Sequence, residues 1–159
     1  MSDLKSAFEE HGFQNVRTYI NSGNVIFSSE LQNRSEITNQ CETIIADTFN
    51  ARIPVLVLPP NELSDILAHA PDWWDTEDKD IYNNMIFVIP PTSVEEVYGA
   101  IGEAKPEYEQ VGHYKNAIFW SFTRKHYSKT QWIKTASTSV NDKVTIRNAN
   151  TVKKLLELV

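Results

Sequence analysis

Residues 18–29, TYINSGNVIFSS, place two alternating stretches on either side of a short polar turn. In both stretches apolar and polar residues alternate, which is the pattern of a β-strand with one buried face. Gly23 supplies the positive φ angle that a tight reversal needs, and neighbouring Asn side chains can bond the nearby backbone. We therefore predict a β-hairpin in which VRTYI and NVIFS pair across this turn.

The same turn is also a candidate ligand site. Its polar groups would converge at the rim of a sheet, and a bare hairpin needs only one Asn-Gly or Ser-Gly pair. The candidate ligand-binding residues of the turn are Tyr19, Asn21, Ser22, Gly23 and Asn24. A purely structural turn is the favoured interpretation, and ligand contact is the alternative.

The order of predicted elements indicates the fold. Residues 84–148 follow the order β-α-β-β-α-β, the ferredoxin-like arrangement, and residues 2–58 follow the same order without its first strand. We predict an α+β protein with two ferredoxin-like (βαββαβ) halves, the N-terminal one lacking its first strand. The halves are residues 1–60 and 84–159, the latter with a terminal helix, and residues 61–83 form a linking helix and an acidic loop.

Three local elements complete this prediction. RIPVLVLP, residues 52–59, is predicted as the last strand of the N-terminal half. SKTQWIKTAS, residues 128–137, is predicted as a short helix opened by Ser128 and Lys129. The terminal helix is predicted to begin with Asn150 as its cap, because Asn readily accepts a hydrogen bond from the first helical turn.

The absent first strand carries its own expectation. In a ferredoxin-like sheet that strand lies between the third and fourth strands, here NVIFS and RIPVLVLP. An empty central position would leave two unpaired backbone edges. We therefore expect the natural polypeptide to extend upstream of Met1, or a strand from elsewhere to fill the position. As an isolated monomer, the 159-residue chain is expected to be poorly stable.

Composition places the protein among soluble globular proteins, with 41% hydrophobic and 23% charged residues. The start, MSDLKSAF, lacks the features of a secretory signal, and apolar runs such as VLVL are too short to span a bilayer. The single cysteine, Cys41, cannot form an internal disulfide and is predicted to be a buried, inert thiol on a helix. We predict a cytoplasmic protein with no membrane partner.

Charge is distributed unevenly along the chain. Between Glu109 and Asp142 there is no acidic residue but five basic ones, so this window carries +5 and the remainder −11 of a net charge of −6. Such a basic window suggests a surface for an anion, and the start of a helix beside an arginine adds to it. The candidate anion-binding residues are Arg124, Ser128, Lys129, Arg147 and Asn148.

Motifs for cofactor or metal chemistry are not found. The chain has five dispersed glycines and no Walker A loop, nucleophile elbow or zinc-binding motif. The four histidines lack metal-ligand spacing, and the acidic loop from Asp72 to Asp80 lacks the glycine of a calcium loop. We predict no cofactor and no metal site. Of Trp73 and Trp74, one is expected to close the core and the other to anchor an interface, such as that of a homo-oligomer.

Three stretches resemble an uncharacterised bacterial family catalogued as domain of unknown function 1697. They are TYINSGNVIFSS, RIPVLVLPPNELSDIL and TIRNANTVKKLLEL, and the resemblance follows the same order over nearly the whole chain. It implies a cytoplasmic bacterial protein built from two ferredoxin-like halves, and it implies no reaction. Two positions depart from the family pattern. Met1 stands where family members continue upstream through a strand and a Gly-rich segment, and Ala149 stands where they tend to carry an aromatic residue.

A binding module for a small anionic ligand or partner is the leading functional hypothesis. Binding of RNA or single-stranded nucleic acid through residues 113–134 is the alternative, since KNAIFWSF carries Lys115, Phe119 and Phe122 in the register of an RNA-recognition strand. The missing glycines and the net negative charge disfavour it. An enzyme that uses Asn21, Asn24, Arg147 and Asn148 ranks third, because no nucleophile–base pair identifies catalytic residues.

Overall fold

The computed structural model describes residues 2–19, 23–31 and 33–159. The chain divides into an N-terminal unit, Met1–Val57 with Glu157–Val159, and a C-terminal unit, Leu58–Leu156. Each unit contains one antiparallel sheet together with helices, so the protein is α+β. None of the helices within the described residues is long and apolar enough to span a membrane.

The N-terminal unit is built around a two-stranded sheet. Its elements are α1 (Ser2–Glu10), β1 (Gln14–Tyr19), β2 (Asn24–Ser28) and α2 (Arg34–Phe49). Strands β1 and β2 pair antiparallel, with Tyr19 opposite Asn24 and Gly23 at a φ of +83° beside the turn. The predicted hairpin is confirmed. Asn21 and Ser22 lie outside the described residues.

The core of this unit combines aromatic and aliphatic side chains. The Phe13 and Phe27 rings meet edge to face, with centroids 4.7 Å apart, a favourable arrangement for two aromatic side chains. Helix α2 contributes Cys41 and Ile44, each 1% exposed. Burial raises the pKa of the Cys41 thiol to about 11, so it remains protonated at neutral pH. The predicted burial of the Cys41 thiol is confirmed.

The predicted strand RIPVLVLP is wrong, because residues 51–59 form no strand in the structure. Val55 and Val57 still pack against the core of the unit, so the apolar pattern does predict burial. A strand also needs a hydrogen-bonded neighbour, and the described sheet of this unit contains only β1 and β2. The Val55 amide instead donates to Glu42 Oε1 at 3.4 Å.

The C-terminal unit contains a four-stranded sheet. Its elements in chain order are α3 (Pro60–Ala68), β3 (Ile81–Val88), α4 (Val94–Ile101), β4 (Glu109–Tyr114), β5 (Ala117–Thr123), two 3-10 helices, η1 (Arg124–Lys129) and η2 (Trp132–Ser137), β6 (Val144–Asn148) and α5 (Ala149–Leu158). The strand order is β4-β5-β3-β6, and every neighbouring pair is antiparallel.

The two faces of this sheet have different coverings. Ile86, Val88, Trp120 and Phe122 lie in one buried cluster with residues of α4 and with Trp132 of η2. Successive residues of a strand point to opposite faces, so Met85 and Phe119 lie on the other face. There the Trp74 ring meets Phe119 edge to face at 5.1 Å. Trp74 therefore closes the core, as predicted for one of the two tryptophans.

The predicted short helix at SKTQWIKTAS is present only over Trp132–Ser137, so its start at Ser128 and Lys129 is wrong. Within residues 124–137, η1 and η2 are separated by Thr130, whose backbone is extended, and Gln131. The Gln131 and Trp132 amides, which a continuous helix would bond internally, donate instead to the Glu109 carboxylate. Ser128 and Lys129 therefore end a 3-10 helix and do not open an α-helix.

Helix α5 and its cap begin two residues earlier than predicted. Its first residue is Ala149, and Asn148 Oδ1 accepts a hydrogen bond from the Thr151 amide at 2.8 Å. Asn148 is thus the N-terminal cap, and the predicted cap at Asn150 is wrong. A cap accepts from the amide three residues further on, which is the Asn148–Thr151 spacing.

Candidate functional site

In the described part of the Tyr19–Asn24 turn, the polar groups make contacts that close the hairpin. Asn24 is 8% exposed, and its Nδ2 donates to the Tyr19 carbonyl at 3.0 Å. Gly23 adopts the positive φ that the reversal requires. Of the five predicted residues of the turn, the structure describes Tyr19, Gly23 and Asn24, and their contacts favour the structural interpretation.

Arg147 and Asn148 lie on the edge strand of the C-terminal unit. Arg147 Nη1 donates to Thr145 Oγ1 at 2.7 Å and to the Ile146 carbonyl at 2.9 Å. Loss of solvent around the half-buried guanidinium lowers the pKa of Arg147. Because Arg147 is paired with Met85 across the ladder, both side chains lie on the face that Trp74 covers.

Arg124, Ser128 and Lys129 lie in a different place. All three belong to η1, which follows β5 at the end of the sheet where Ile81 pairs with Thr123. The Arg124 guanidinium lies 4.5 Å from the Tyr82 ring centroid, and Tyr82 is paired with Phe122 on the opposite face from Arg147. The sheet therefore separates the Arg147 side chain from Arg124, and Asn148 is engaged by the Thr151 amide at the start of α5.

Helix η1 presents its side chains in three rows. In a 3-10 helix residues three apart eclipse one another, so Arg124 lies in line with Tyr127 and His126 with Lys129. The first row faces aromatic neighbours: Arg124 Nη2 donates to the Tyr82 hydroxyl, and the Tyr127 ring lies 5.2 Å from Phe122. Lys129 lies in another row, with its Nζ 5.6 Å from the Tyr108 ring.

We call Tyr82, Arg124, Lys125, Tyr127 and Lys129 the basic–aromatic surface. Tyr82 and Tyr127 are 45% and 48% exposed, an unusual degree for two tyrosines that also contact a buried ring. Within the described ranges, none of the three cations lies within 4.0 Å of a carboxylate. Three positive charges on one six-residue helix are therefore not neutralised by ion pairs.

Sequence reasoning found the cations of this surface but missed its tyrosines. The acid-free window pointed to Arg124 and Lys129. Tyr82 is 42 residues from Arg124 in sequence and approaches it only through the pairing of β3 with β5. The spacing of Arg124 and Tyr127 could have linked these two residues, had a 3-10 helix been predicted over them.

A second polar cluster, which the sequence did not predict, joins α3 to the turn between β4 and β5. Asp65 Oδ2 accepts from the Tyr114 hydroxyl at 3.0 Å and from Lys115 Nζ at 2.7 Å. His69 stacks on the Tyr114 ring at 4.0 Å, with planes only 3° apart. The hydrogen bonds from Lys115 and then Tyr114 lower the pKa of Asp65, and the Asp65 carboxylate raises the pKa of Lys115.

These shifts predict how the cluster responds to pH. Because the folded pKa of Asp65 is depressed, its stabilisation is present above the unfolded pKa and is lost as pH falls through the folded pKa. Asp65→Asn should therefore flatten the acid side of a plot of melting temperature against pH, by a few degrees at most because the groups are exposed. Asp72→Asn, at an exposed loop position, is the matched control. Identical acid limbs for wild type and Asp65→Asn would contradict the role of Asp65.

The acidic loop behaves as a surface segment in the described residues. Asp75 pairs with Lys153 at 2.9 Å, and Asp78 Oδ1 accepts from the Asp80 amide at 2.9 Å. Among the described residues, no group of three or more potential ligands is arranged to hold a metal ion.

The predicted RNA-recognition register does not form a stacking platform. Phe119 is fully buried beneath Trp74, and Phe122 points to the opposite face because the two positions differ by three in a strand. Lys115 is held by Asp65. Lys115, Phe119 and Phe122 therefore do not share an exposed face, which an RNA-binding sheet requires.

Comparisons with known proteins agree with this architecture. A family model described as a protein of unknown function, DUF1697, matches residues 1–119. The solved structure of a conserved bacterial protein from Streptococcus pneumoniae is similar, with a TM-score of 0.86 and 26% sequence identity over 99% of this chain and 87% of that chain. None of the curated proteins matches the chain.

Proposed function

The chain belongs to the DUF1697 family of proteins of unknown function, and we propose that it is a binding module for a small anionic ligand. The site is the basic–aromatic surface, with Arg124 at its centre. The observation that carries the proposal is the set of three cations on η1 with no carboxylate within 4.0 Å in the described residues. Such an unneutralised patch attracts anions, and a guanidinium can hold an oxyanion through two parallel N–H groups.

Arg124 is positioned for this role by its neighbours. Its backbone amide donates to the Asp80 carbonyl at 2.8 Å, and its guanidinium donates to the Tyr82 hydroxyl. These two contacts restrict the side chain and leave further N–H groups of the guanidinium for a ligand. Lys125 and Lys129 follow within the same helix, close enough to add attraction at physiological ionic strength.

The structural contacts of the other predicted polar residues favour a binding function over catalysis. Asn24 closes the hairpin, Asn148 caps α5, and Arg147 bonds Thr145 and the Ile146 carbonyl. These contacts are structural, and they support a site elsewhere. The nucleic-acid alternative retains the charge of η1 but lacks the exposed row of aromatic rings on the sheet.

We also infer that both units are ferredoxin-like halves of a cytoplasmic protein. The order β4-β5-β3-β6 supports this, because it places the unit's first strand between its third and fourth, as in a βαββαβ sheet. In the N-terminal unit Val55 and Val57 pack against the core, as residues of a fourth strand would. In a ferredoxin-like half the first strand would lie between β2 and residues 55–57. NMR contacts between the backbones of β2 and residues 55–57 would show that they are direct neighbours and would contradict this arrangement. A single, buried cysteine suits a reducing compartment.

The central test replaces Arg124. Arg124→Ala is expected to weaken binding of inorganic pyrophosphate about tenfold or more, since it removes a charge-assisted contact. Lys129→Ala should have a smaller effect, because that side chain lies in another row of η1. Isothermal titration calorimetry measures both, and added salt should weaken the wild-type interaction.

Lys143→Ala is the matched control. Lys143 is also an exposed cation, but it precedes β6 at the end of the sheet where Val88 pairs with Val144, seven residues along β3 from the η1 end. Equal losses of affinity for Arg124→Ala and Lys143→Ala would mean that net charge, and not the basic–aromatic surface, attracts the anion. The proposal would then be wrong.

A further inference from the structure

The basic–aromatic surface contains two tyrosines that are similarly exposed, at 45% for Tyr82 and 48% for Tyr127, but that differ in which groups contact their rings. One face of the Tyr82 ring is covered by the Arg124 guanidinium, at 4.5 Å from the ring centroid. The Tyr127 ring rests on Phe122, tilted by 34°, and is 48% exposed. Tyr127 therefore offers a supported, solvent-facing aromatic surface.

Tyr127 lies in the same row of η1 as Arg124. The spacing of three residues places their Cα atoms about 6 Å apart along a 3-10 helix, on one side of it. A ligand that meets the guanidinium with an anionic group can consequently lay a planar ring on Tyr127. A nucleotide has both parts, because its sugar joins a phosphate to an aromatic base.

Building on the proposed function, we propose that the anionic ligand is a mononucleotide whose base stacks on Tyr127 while its phosphate contacts Arg124. Stacking on an aromatic side chain accepts any base, because every base has a π-face. Lys125 follows Arg124 in η1 but lies in another row, so it adds positive charge near the phosphate without being placed to contact it.

The number of available rings limits the ligand to one base. Modules that bind single strands stack two or three successive bases on exposed aromatic side chains. Here Phe119 is covered by Trp74, Phe122 is 5% exposed, and the Tyr82 ring has the Arg124 guanidinium on one face and the Phe122 ring at 5.7 Å. Tyr108, the aromatic neighbour of Lys129, lies beside a different row of the helix.

Calorimetric titration of the 159-residue chain with ADP and with inorganic pyrophosphate tests this assignment. ADP should bind about tenfold more tightly than pyrophosphate, because only ADP can stack on Tyr127. Tyr127→Leu should remove that difference without changing the affinity for pyrophosphate, whereas Tyr127→Phe should retain it. Tyr108→Leu, the same substitution beside another cation of η1, is the control and should change neither affinity.

Each other result would overturn the assignment in a different way. Equal affinities for ADP and pyrophosphate, unaffected by Tyr127→Leu, would refute the nucleotide and leave the anion site in place. Absence of binding by either compound would refute the anion site as well. Much tighter binding of a single-stranded oligonucleotide than of ADP, with a steep dependence on salt, would replace the mononucleotide with a nucleic-acid strand.

Discussion

Glu109→Ala is expected to lower the free energy of unfolding by about 3–5 kcal/mol, because it removes the acceptor of four N–H groups at once. The Glu109 side chain is 3% exposed. It accepts from Trp120 Nε1 at 3.0 Å and from the backbone amides of Lys105, Gln131 and Trp132. Without the carboxylate these buried donors lose their partners. Urea denaturation followed by tryptophan fluorescence measures the loss.

Two further substitutions make this test specific. Glu109→Gln should cost less, about 2 kcal/mol, because its amide oxygen still accepts while its NH2 group faces donors. Glu107→Ala, two residues earlier at an exposed position, should change stability by less than about 0.5 kcal/mol. If Glu107→Ala and Glu109→Ala were equally mild, the carboxylate would not be what holds β4, β5 and η2 together.

Local sequence patterns predicted the strands that find a pairing partner in the fold. The hairpin followed from alternation around Gly23, and both central strands of the C-terminal sheet contain the apolar runs that predicted them. Residues 51–59 show that a local sequence pattern is not sufficient to predict a strand. Their sequence is that of a strand, but strand formation depends on a neighbouring backbone, which the residues themselves cannot supply.

The prediction for the segment after β5 was wrong in its bounds for a related reason. Residues 128–137 have a composition compatible with an α-helix, but Glu109, distant in the chain, bonds the Gln131 and Trp132 amides. A tertiary contact thus overrides a weak local preference. The cap of α5 is a similar case. The residue at which β6 ends decides which Asn caps the helix, and that residue is Asn148.

The residues of the candidate site likewise fall into those that the sequence predicts and those that only the tertiary structure brings together. Charge is readable from sequence, so the acid-free window alone was enough to identify Arg124 and Lys129. The aromatic half of the surface depends on strand pairing, which places Tyr82 beside Arg124. The Asp65 cluster is likewise assembled from residues 49 and 50 positions apart. Sites formed by distant side chains require the register of the sheet, which periodicity does not provide.

Trp74→Ala is expected to destabilise the protein by about 3–5 kcal/mol, since it opens a cavity over the C-terminal sheet. Trp74 is 5% exposed, its ring meets Phe119 at 5.1 Å, and its Nε1 donates to the Asn84 carbonyl at 2.9 Å. The substitution removes both the packing and the donor. Thermal and urea unfolding measure the loss.

Trp73→Ala tests whether the adjacent tryptophan has the same role. Trp73 is only half-buried and lies against Gly112 of β4, where an added Cβ atom would come within 3.4 Å of its ring. Its removal should cost about 1–2 kcal/mol, because water can enter the exposed part of the space. The difference matters for function, because Trp74 covers the Phe119 face on which an RNA-recognition strand would stack bases. If Trp74→Ala were no more destabilising than Trp73→Ala, Trp74 would be a removable cover, and the argument against a nucleic-acid platform on this sheet would fail.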